Sequence, residues 1–121
     1  MQINARARNM KIAVLDIGGT SIKSGIFCNG SLHDLKETNT NSSFGGEYVV
    51  KKAIEILEGY GRVDGIGIST AGQVDFSQGM IRYANKNIPG YTGMRVKDIV
   101  QNHFGVPAVV ENDVNCAAIG E

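Results

Sequence analysis

The sequence predicts an α/β domain with a five-stranded mixed sheet flanked by helices. The first third contains three short strand-like segments, and Asn29 and Gly30 between the last two are the strongest short hairpin signal. In the rest of the chain, segments with helical spacing of apolar residues alternate with short apolar runs. A hairpin start followed by strand–helix alternation combines antiparallel and parallel strands in one sheet, with helices on its faces.

The first three strands are expected between residues 11 and 38. Residues 11–16 are apolar on both alternating faces, which is typical of a central, buried strand. Gly18 and Gly19 then predict a tight turn. Residues 21–28 form the second predicted strand and residues 31–38 the third, which is more polar and is therefore expected near a sheet edge.

Two amphipathic helices follow from the spacing of apolar side chains. The first is expected to begin near Gly46, after a polar loop, and to end at Gly59 or Gly61. The second ends before Gly105, which suits the left-handed residue that often follows a helix. The apolar stripes are Val50, Ala53, Ile54 and Leu57 in the first helix and Val96, Ile99, Val100 and Phe104 in the second.

The remaining segments complete the predicted sheet. Residues 63–69 and 107–111 are the fourth and fifth strands, and residues 74–83 indicate a small extended excursion between them. Asn112 or Asp113 is a natural N-cap for a last helix. The order of elements is therefore three strands, helix, strand, helix, strand, helix.

Composition and charge narrow the class of protein. The chain has 121 residues, with 12 basic and 12 acidic side chains, and this balance lacks the basic field that nucleic acid or an anionic membrane requires. No apolar run approaches the ~20 residues of a membrane span.

Cys28 and Cys116 are too few for a disulfide framework and indicate reduced thiols in the cytoplasm. Residues 1–9 are polar and are expected to be a leader or disordered segment, which leaves residues 10–121 as one domain.

The first candidate site follows the first strand and has the features of a phosphate-binding turn. Gly18 and Gly19 let the backbone approach a ligand closely, and exposed N–H groups in such a turn bind anions. Thr20 adds a hydroxyl, and Lys23 lies three residues further on. Asp16 can hold a Mg²⁺ ion through water, because Mg²⁺ keeps much of its hydration shell. The alternative is an ordinary hairpin turn beside an aspartate.

The second candidate site is the junction after the fifth strand. In α/β proteins, this edge of the sheet is where ligands bind. Asp113 can accept a proton from a substrate hydroxyl that attacks a phosphoryl group, and Asn112 can orient the same hydroxyl groups. The alternative is that these residues only cap the helix.

The third candidate site follows the fourth strand. Small residues there leave room for a ligand against the backbone, and Gly72 and Gln73 lie in that segment. Downstream, Asn85 offers an amide, which both donates and accepts hydrogen bonds and therefore suits a polyol. A tight turn at Gly72 and an exposed loop at Asn85 are the alternatives.

These motifs occur in an order that resembles the N-terminal domain of the ROK family of sugar kinases, repressors and open-reading-frame proteins. The resemblance covers residues 10–121. Its first segment, residues 16–20, is shared by the whole actin and hexokinase superfamily, whereas the combination of three later segments is more specific: residues 67–72, 89–93 and 110–118. The resemblance implies a ribonuclease-H-like fold.

The resemblance also implies roles for the candidate residues. Gly18, Gly19 and Thr20 would lie at the phosphates of ATP, with Asp16 near Mg²⁺. Asp113 would be the base that activates the 6-hydroxyl of a hexose or N-acylhexosamine. The residues implied in sugar binding are Asn112, Asp113, Asn85, Gly72 and Gln73. Tyr91 stands where glucokinase-like members usually have Trp, so the sugar is not specified.

The implied protein is the N-terminal half of an ATP-dependent sugar kinase, and such kinases commonly form homo-oligomers. The second domain of the family is absent from this sequence, so the isolated chain is expected to be inactive. One alternative is the sugar-sensing domain of a ROK transcriptional regulator, although residues 1–9 are too few for a DNA-binding head unless an upstream part is missing. Another is an interaction module that kept the fold without the chemistry.

Overall fold

The computed structural model describes residues 10–84 and 88–112. This part of the chain forms seven strands, two α-helices and a short 3₁₀ turn. The strands are β1 (Ile12–Ile17), β2 (Ser21–Cys28), β3 (Ser31–Asn39), β4 (Gly65–Thr70), β5 (Gln73–Asp75), β6 (Met80–Tyr83) and β7 (Ala108–Asn112). The helices are α1 (Gly46–Gly59) and α2 (Val96–Phe104), and the 3₁₀ turn is Ser42–Phe44. Neither of these helices is long and apolar enough to cross a membrane.

Five strands form one mixed sheet in the order β3–β2–β1–β4–β7, which confirms the predicted architecture. β2 pairs antiparallel with β1 and β3, whereas β1, β4 and β7 run parallel. The polar β3 lies at one edge, as its composition predicts. β5 and β6 form a separate hairpin, in the region where the sequence indicated only an extended excursion.

One face of the sheet carries the hydrophobic core. Every second residue of β1 is buried there, and β4 and β7 repeat the alternation. The buried sides of α1 and α2 belong to the same apolar cluster, because each helix presents its stripe to the sheet. The largest fully buried side chains include Leu15, Ile17, Ile22, Leu57, Ile81 and Tyr91. Burial of each such side chain contributes roughly 1.5–3 kcal/mol.

No element of the described ranges covers the opposite face of the sheet, which we call the open face. Its middle is a shallow trough, because Val14 lies between Gly25 on β2 and Gly67 on β4. Two hollows of about 330 and 270 Å³ lie on this face, and Val14 lines both. The exposed apolar side chains around the trough are Phe27, Leu32, Leu35 and Val109.

Two local details complete the description of the elements. Asn112 is the last residue of β7 and pairs with Thr70 in the strand ladder. The helix that Asn112 or Asp113 is expected to cap lies outside the described residues, so the cap stays a prediction. α1 begins without a side-chain cap, since Gly45 occupies the N-cap position with a φ of 101°. Val49 is fully buried and joins the predicted stripe of this helix.

Candidate functional site

The carboxyl ends of three parallel strands meet at one edge of the sheet. Ile17, Thr70 and Asn112 are adjacent in the register and are the last residues of β1, β4 and β7. The β1–β2 and β4–β5 turns begin at this edge, and the N–H of Ala71 donates to the carbonyl oxygen of Ile17 at 2.9 Å. Ligands of open α/β sheets bind outside this edge. The structure therefore brings together the described parts of all three predicted segments.

Four polar side chains run along this edge on the open face. Lys23, Asp16, Ser69 and Glu111 are successive neighbours across β2, β1, β4 and β7. We call this set the polar row. Sequence reasoning gave roles to Asp16 and Lys23 but none to Ser69 and Glu111. The signal that would have found Ser69 is the alternation of β4, which places it on the same face as Gly67.

Asp16 is exposed, and a neighbouring strand orients its carboxylate. Ser69 Oγ donates to Asp16 Oδ1 at 3.0 Å, although the two residues are 53 positions apart. Lys23 faces Asp16 across the β1–β2 pair without a salt bridge between them in the described structure. Nowhere in residues 10–84 or 88–112 do three or more His, Cys, Asp or Glu side chains form a metal cluster. One oriented carboxylate fits a Mg²⁺ ion that keeps most of its water shell.

The β1–β2 turn presents backbone N–H groups at the same edge. The buried Thr40 engages two carbonyls of the turn: its Oγ1 donates to the oxygen of Gly18, and its N–H donates to that of Thr20, both at 2.9 Å. Within the described segments, the N–H groups of Gly19 and Thr20 form no hydrogen bond. A Cβ at Gly19 would meet nothing within 4 Å, so the turn is open there. Such a turn suits an anion.

The β4–β5 turn depends on Gly72. This residue has a φ of 99°, and a Cβ on it would lie 2.7 Å from the carbonyl oxygen of Tyr83. Only glycine fits that position without displacing the hairpin. Gln73 follows, exposed, and pairs with Tyr83 at the start of the β5–β6 hairpin.

A buried contact fastens the loop before α2 to this turn. Tyr91 Oη lies 2.7 Å from Thr70 Oγ1, and both side chains are fully buried. The N–H of Ala84 donates to Thr92 Oγ1 at 3.0 Å, which joins the same loop to the end of the hairpin. Sequence reasoning assigned no role to Thr70, because its partner is distant in sequence.

The second candidate site is described only in part. Asn112 is half-buried at the end of β7, and its N–H donates to Glu111 Oε1 at 2.9 Å. Asp113 and Asn85 lie outside the described residues. The described edge therefore brings Asn112 beside the β4–β5 turn, while the predicted roles of Asp113 and Asn85 stay predictions.

The fold defines the class of protein: a ribonuclease-H-like α/β domain of the actin and hexokinase superfamily. The model of the ROK family matches residues 12–121, and the chain belongs to this family.

Characterised proteins of the family include kinases. The beta-glucoside kinase of Klebsiella pneumoniae is 32% identical over 113 residues, which cover 93% of this chain and 37% of that kinase. A glucokinase from Streptomyces griseus, solved in complex with glucose and AMPPNP, has a TM-score of 0.78 at 32% identity, over 89% of this chain and 35% of its own. A ROK transcriptional regulator homologous to the MLC protein of E. coli has a TM-score of 0.75 at 15% identity, over 85% of this chain and 28% of its own, which shows the fold alone. The chain thus spans little more than a third of the length of these kinases.

Proposed function

We propose that this chain is the N-terminal half of an ATP-dependent sugar kinase, which transfers the γ-phosphoryl group of ATP to the 6-hydroxyl of a hexose or N-acylhexosamine. The observation that carries the proposal is the meeting of three segments at one sheet edge: the β1–β2 turn, the β4–β5 turn and the end of β7. The names of the two kinase relatives support sugar phosphorylation as the reaction class.

The β1–β2 turn is the proposed phosphate side. The N–H groups of Gly19 and Thr20 bind phosphate oxygens, the tight turn at Gly18 places them, and Lys23 adds positive charge from β2. Asp16, oriented by Ser69 at 3.0 Å, holds the water shell of Mg²⁺. A Mg²⁺ ion held there would supply positive charge against the charge that develops on the transferring phosphoryl group. The contribution of the protein is position and electrostatics, the main sources of catalysis in phosphoryl transfer.

The ends of β4 and β7 form the proposed sugar side. Gly72, Gln73, Asn85 and Asn112 contribute backbone and amide groups that pair with sugar hydroxyls. Asp113 is the proposed base. Its carboxylate accepts the proton of the sugar 6-hydroxyl while that oxygen bonds to the γ-phosphorus of ATP and the bond from this phosphorus to the bridging oxygen breaks, which releases ADP.

The decisive experiment uses the intact gene product that contains this chain. ADP release is measured with a panel of hexoses and N-acylhexosamines. We expect at least one sugar to support turnover, and Asp113→Asn to abolish it. Asp34→Asn is the matched control, because Asp34 is an exposed carboxylate on the β3 edge and Asn tolerates its positive φ of 54°. If no sugar releases ADP, the proposal fails.

The 121-residue chain alone is expected to show no appreciable sugar-dependent ATP turnover. Phosphoryl transfer requires both substrates to be held in line, and this edge provides only one side of a cleft. Robust turnover by the isolated chain would contradict this part of the proposal.

The second candidate function is sugar sensing in a ROK transcriptional regulator, because a regulator of this family has the same fold. The Asp113→Asn variant separates the kinase from the sensor. A sensor releases no ADP with any sugar, either as the wild type or as the variant. Its conformational response to sugar remains after the substitution.

A further inference from the structure

The buried contact between Thr70 and Tyr91 joins the β4–β5 turn of the proposed sugar side to the loop before α2. Thr70 is the last residue of β4, so the β4–β5 turn begins immediately after it. Tyr91 belongs to the loop before α2. The two oxygens are 2.7 Å apart and both side chains are 0% exposed, so the hydrogen bond is shielded from competing water.

The threonine hydroxyl lies between the tyrosine and the turn. Thr70 Oγ1 is 2.7 Å from Tyr91 Oη and 3.2 Å from the carbonyl oxygen of Ala71, and either hydroxyl can donate in the first contact. The contacts therefore run from the tyrosine hydroxyl through the threonine hydroxyl to the first carbonyl of the β4–β5 turn. Removing the tyrosine oxygen takes away the buried partner of the threonine hydroxyl and, with it, a constraint on the orientation of that hydroxyl at the turn.

The loop that carries Tyr91 is itself fastened to the hairpin and to α1. Gly93 donates to the carbonyl oxygen of Ile81 at 2.6 Å, and Ile81 donates to that of Met94 at 2.9 Å, which adds the loop to β6. A Cβ at Gly46, the first residue of α1, would lie 2.7 Å from Tyr91 Cα. The position of Tyr91 is thus fixed by β6 and α1, so its hydroxyl can hold the β4–β5 turn in one place.

We infer that Thr70 and Tyr91 are positioning residues for the sugar, a step that rests on the proposed function. Their hydrogen bond sets the β4–β5 turn, with Gly72 and Gln73, relative to the hairpin and so determines sugar affinity. It does not act on the phosphate side. A purely structural contact would be served as well by apolar side chains, because Phe and Val fill nearly the same volumes without a buried polar group to satisfy.

Amide hydrogen exchange on the 121-residue chain tests the positioning directly, without any assay of kinase activity. Tyr91→Phe and Thr70→Val are each expected to speed exchange in residues 71–75 about tenfold, while exchange in β1 stays unchanged. Thr70→Ser keeps the hydroxyl and is expected to restore the protection. Uniform acceleration across the domain, or no change in residues 71–75, would overturn the inference.

Steady-state kinetics of the intact gene product test the consequence for the sugar. Tyr91→Phe is expected to raise the KM for the sugar about tenfold and to leave the KM for ATP within about twofold. The double variant with Thr70→Val is expected to be no worse than either single one, because both remove the same bond. Tyr48→Phe is the control, because it removes a tyrosine hydroxyl that contacts Asn41 and not the β4–β5 turn. Equal rises in both KM values contradict the inference. If the wild-type protein turns over no sugar, the proposed function fails, and hydrogen exchange still decides the positioning role.

Discussion

At the scale of single residues, Asp75 organises the tip of the β5–β6 hairpin. Ser77 Oγ and the N–H of Gln78 both donate to its Oδ1, at 2.8 and 3.3 Å, and the N–H of Gly79 donates to its carbonyl oxygen at 2.7 Å. The hydrogen bond from Ser77, then that from Gln78, lowers the pKa of Asp75 below its ordinary value, with a smaller contribution from the charge of Arg82. The ionised carboxylate therefore stabilises the turn.

The turn is expected to loosen in acid. Because the pKa of Asp75 is lower in the folded state, its stabilisation is complete above the unfolded-state value of ~3.9 and is lost as pH falls through the folded-state pKa. NMR of the Gln78 amide between pH 6 and pH 2 should show the hydrogen bond weakening in the wild type. In Asp75→Asn this titration should be missing. If the Gln78 amide resonance of the wild type does not change between pH 6 and pH 2, the role of the Asp75 carboxylate in the turn is refuted.

Gly72 has a more demanding position than Gly105, another glycine with positive φ. Gly72→Ala adds a Cβ 2.7 Å from the carbonyl oxygen of Tyr83. A Cβ at Gly105, whose φ is 69°, would meet no atom within 4 Å. Gly105→Ala is expected to cost only ~1–2 kcal/mol of unfolding free energy for the left-handed backbone. Gly72→Ala is expected to cost ~1–3 kcal/mol more, because the hairpin must shift. Urea unfolding of both variants measures the difference, and equal losses would argue against a steric role.

At the scale of elements, Tyr60 joins the end of α1 to the β2–β3 hairpin. Its hydroxyl donates to the carbonyl oxygen of Asp34 at 2.8 Å and lies 2.9 Å from the oxygen of the buried Ser24. Lys36 Nζ lies over the ring, 4.4 Å from its centroid. These contacts surround a register shift between Ser24 and Ile26, so one side chain stabilises the irregular part of an exposed edge hairpin.

Loss of the Tyr60 hydroxyl should therefore lower the free energy of unfolding of the whole domain. Tyr60→Phe keeps the ring over which Lys36 lies and is expected to lower the free energy of unfolding by ~1–2 kcal/mol. Tyr48→Phe is the control, because its hydroxyl has only a 3.4 Å contact with Asn41 Nδ2 and should cost less than ~0.5 kcal/mol. Denaturant curves that coincide for the two variants would show that the Tyr60 bonds contribute nothing net.

The elements themselves could be predicted because their signals are local. The Asn29–Gly30 turn, the central strand β1 and the stripe of α2 each follow from signals within a few residues, and all three are confirmed, although only one face of β1 is buried in the described structure. The hydrogen bond from Ser69 to Asp16 and the one between Tyr91 and Thr70 could not be predicted, because each depends on which residues the fold brings together from distant segments. Roles for Asp113 and Asn85 came from the chemistry of their side chains and from the family resemblance, and they stay predictions.

At the scale of the whole molecule, the open face makes the isolated chain prone to association. Leu35 is 68% exposed, and Phe27, Leu32 and Val109 lie around the same trough. An apolar surface of this kind on a small domain favours contact with other apolar surfaces.

Light scattering at rising protein concentration should therefore detect self-association of the 121-residue chain. Leu35→Gln combined with Val109→Gln is expected to shift the equilibrium towards monomer by about tenfold or more, since two apolar side chains leave the contact. Phe44→Gln is the matched control, because Phe44 is 67% exposed but belongs to the 3₁₀ turn before α1. If Phe44→Gln has the same effect, association does not involve the open face.

The polar row has a consequence for biosynthesis. Its members come from β2, β1, β4 and β7, and the last of these emerges from the ribosome only after α2. A nascent chain can close the β1–β2–β3 meander early, because those pairings are local, whereas the parallel β4–β7 pair must wait for the crossover through the hairpin and α2. The polar row is thus complete only once β7 has paired with β4, so ligand binding at this proposed site would require a finished five-stranded sheet.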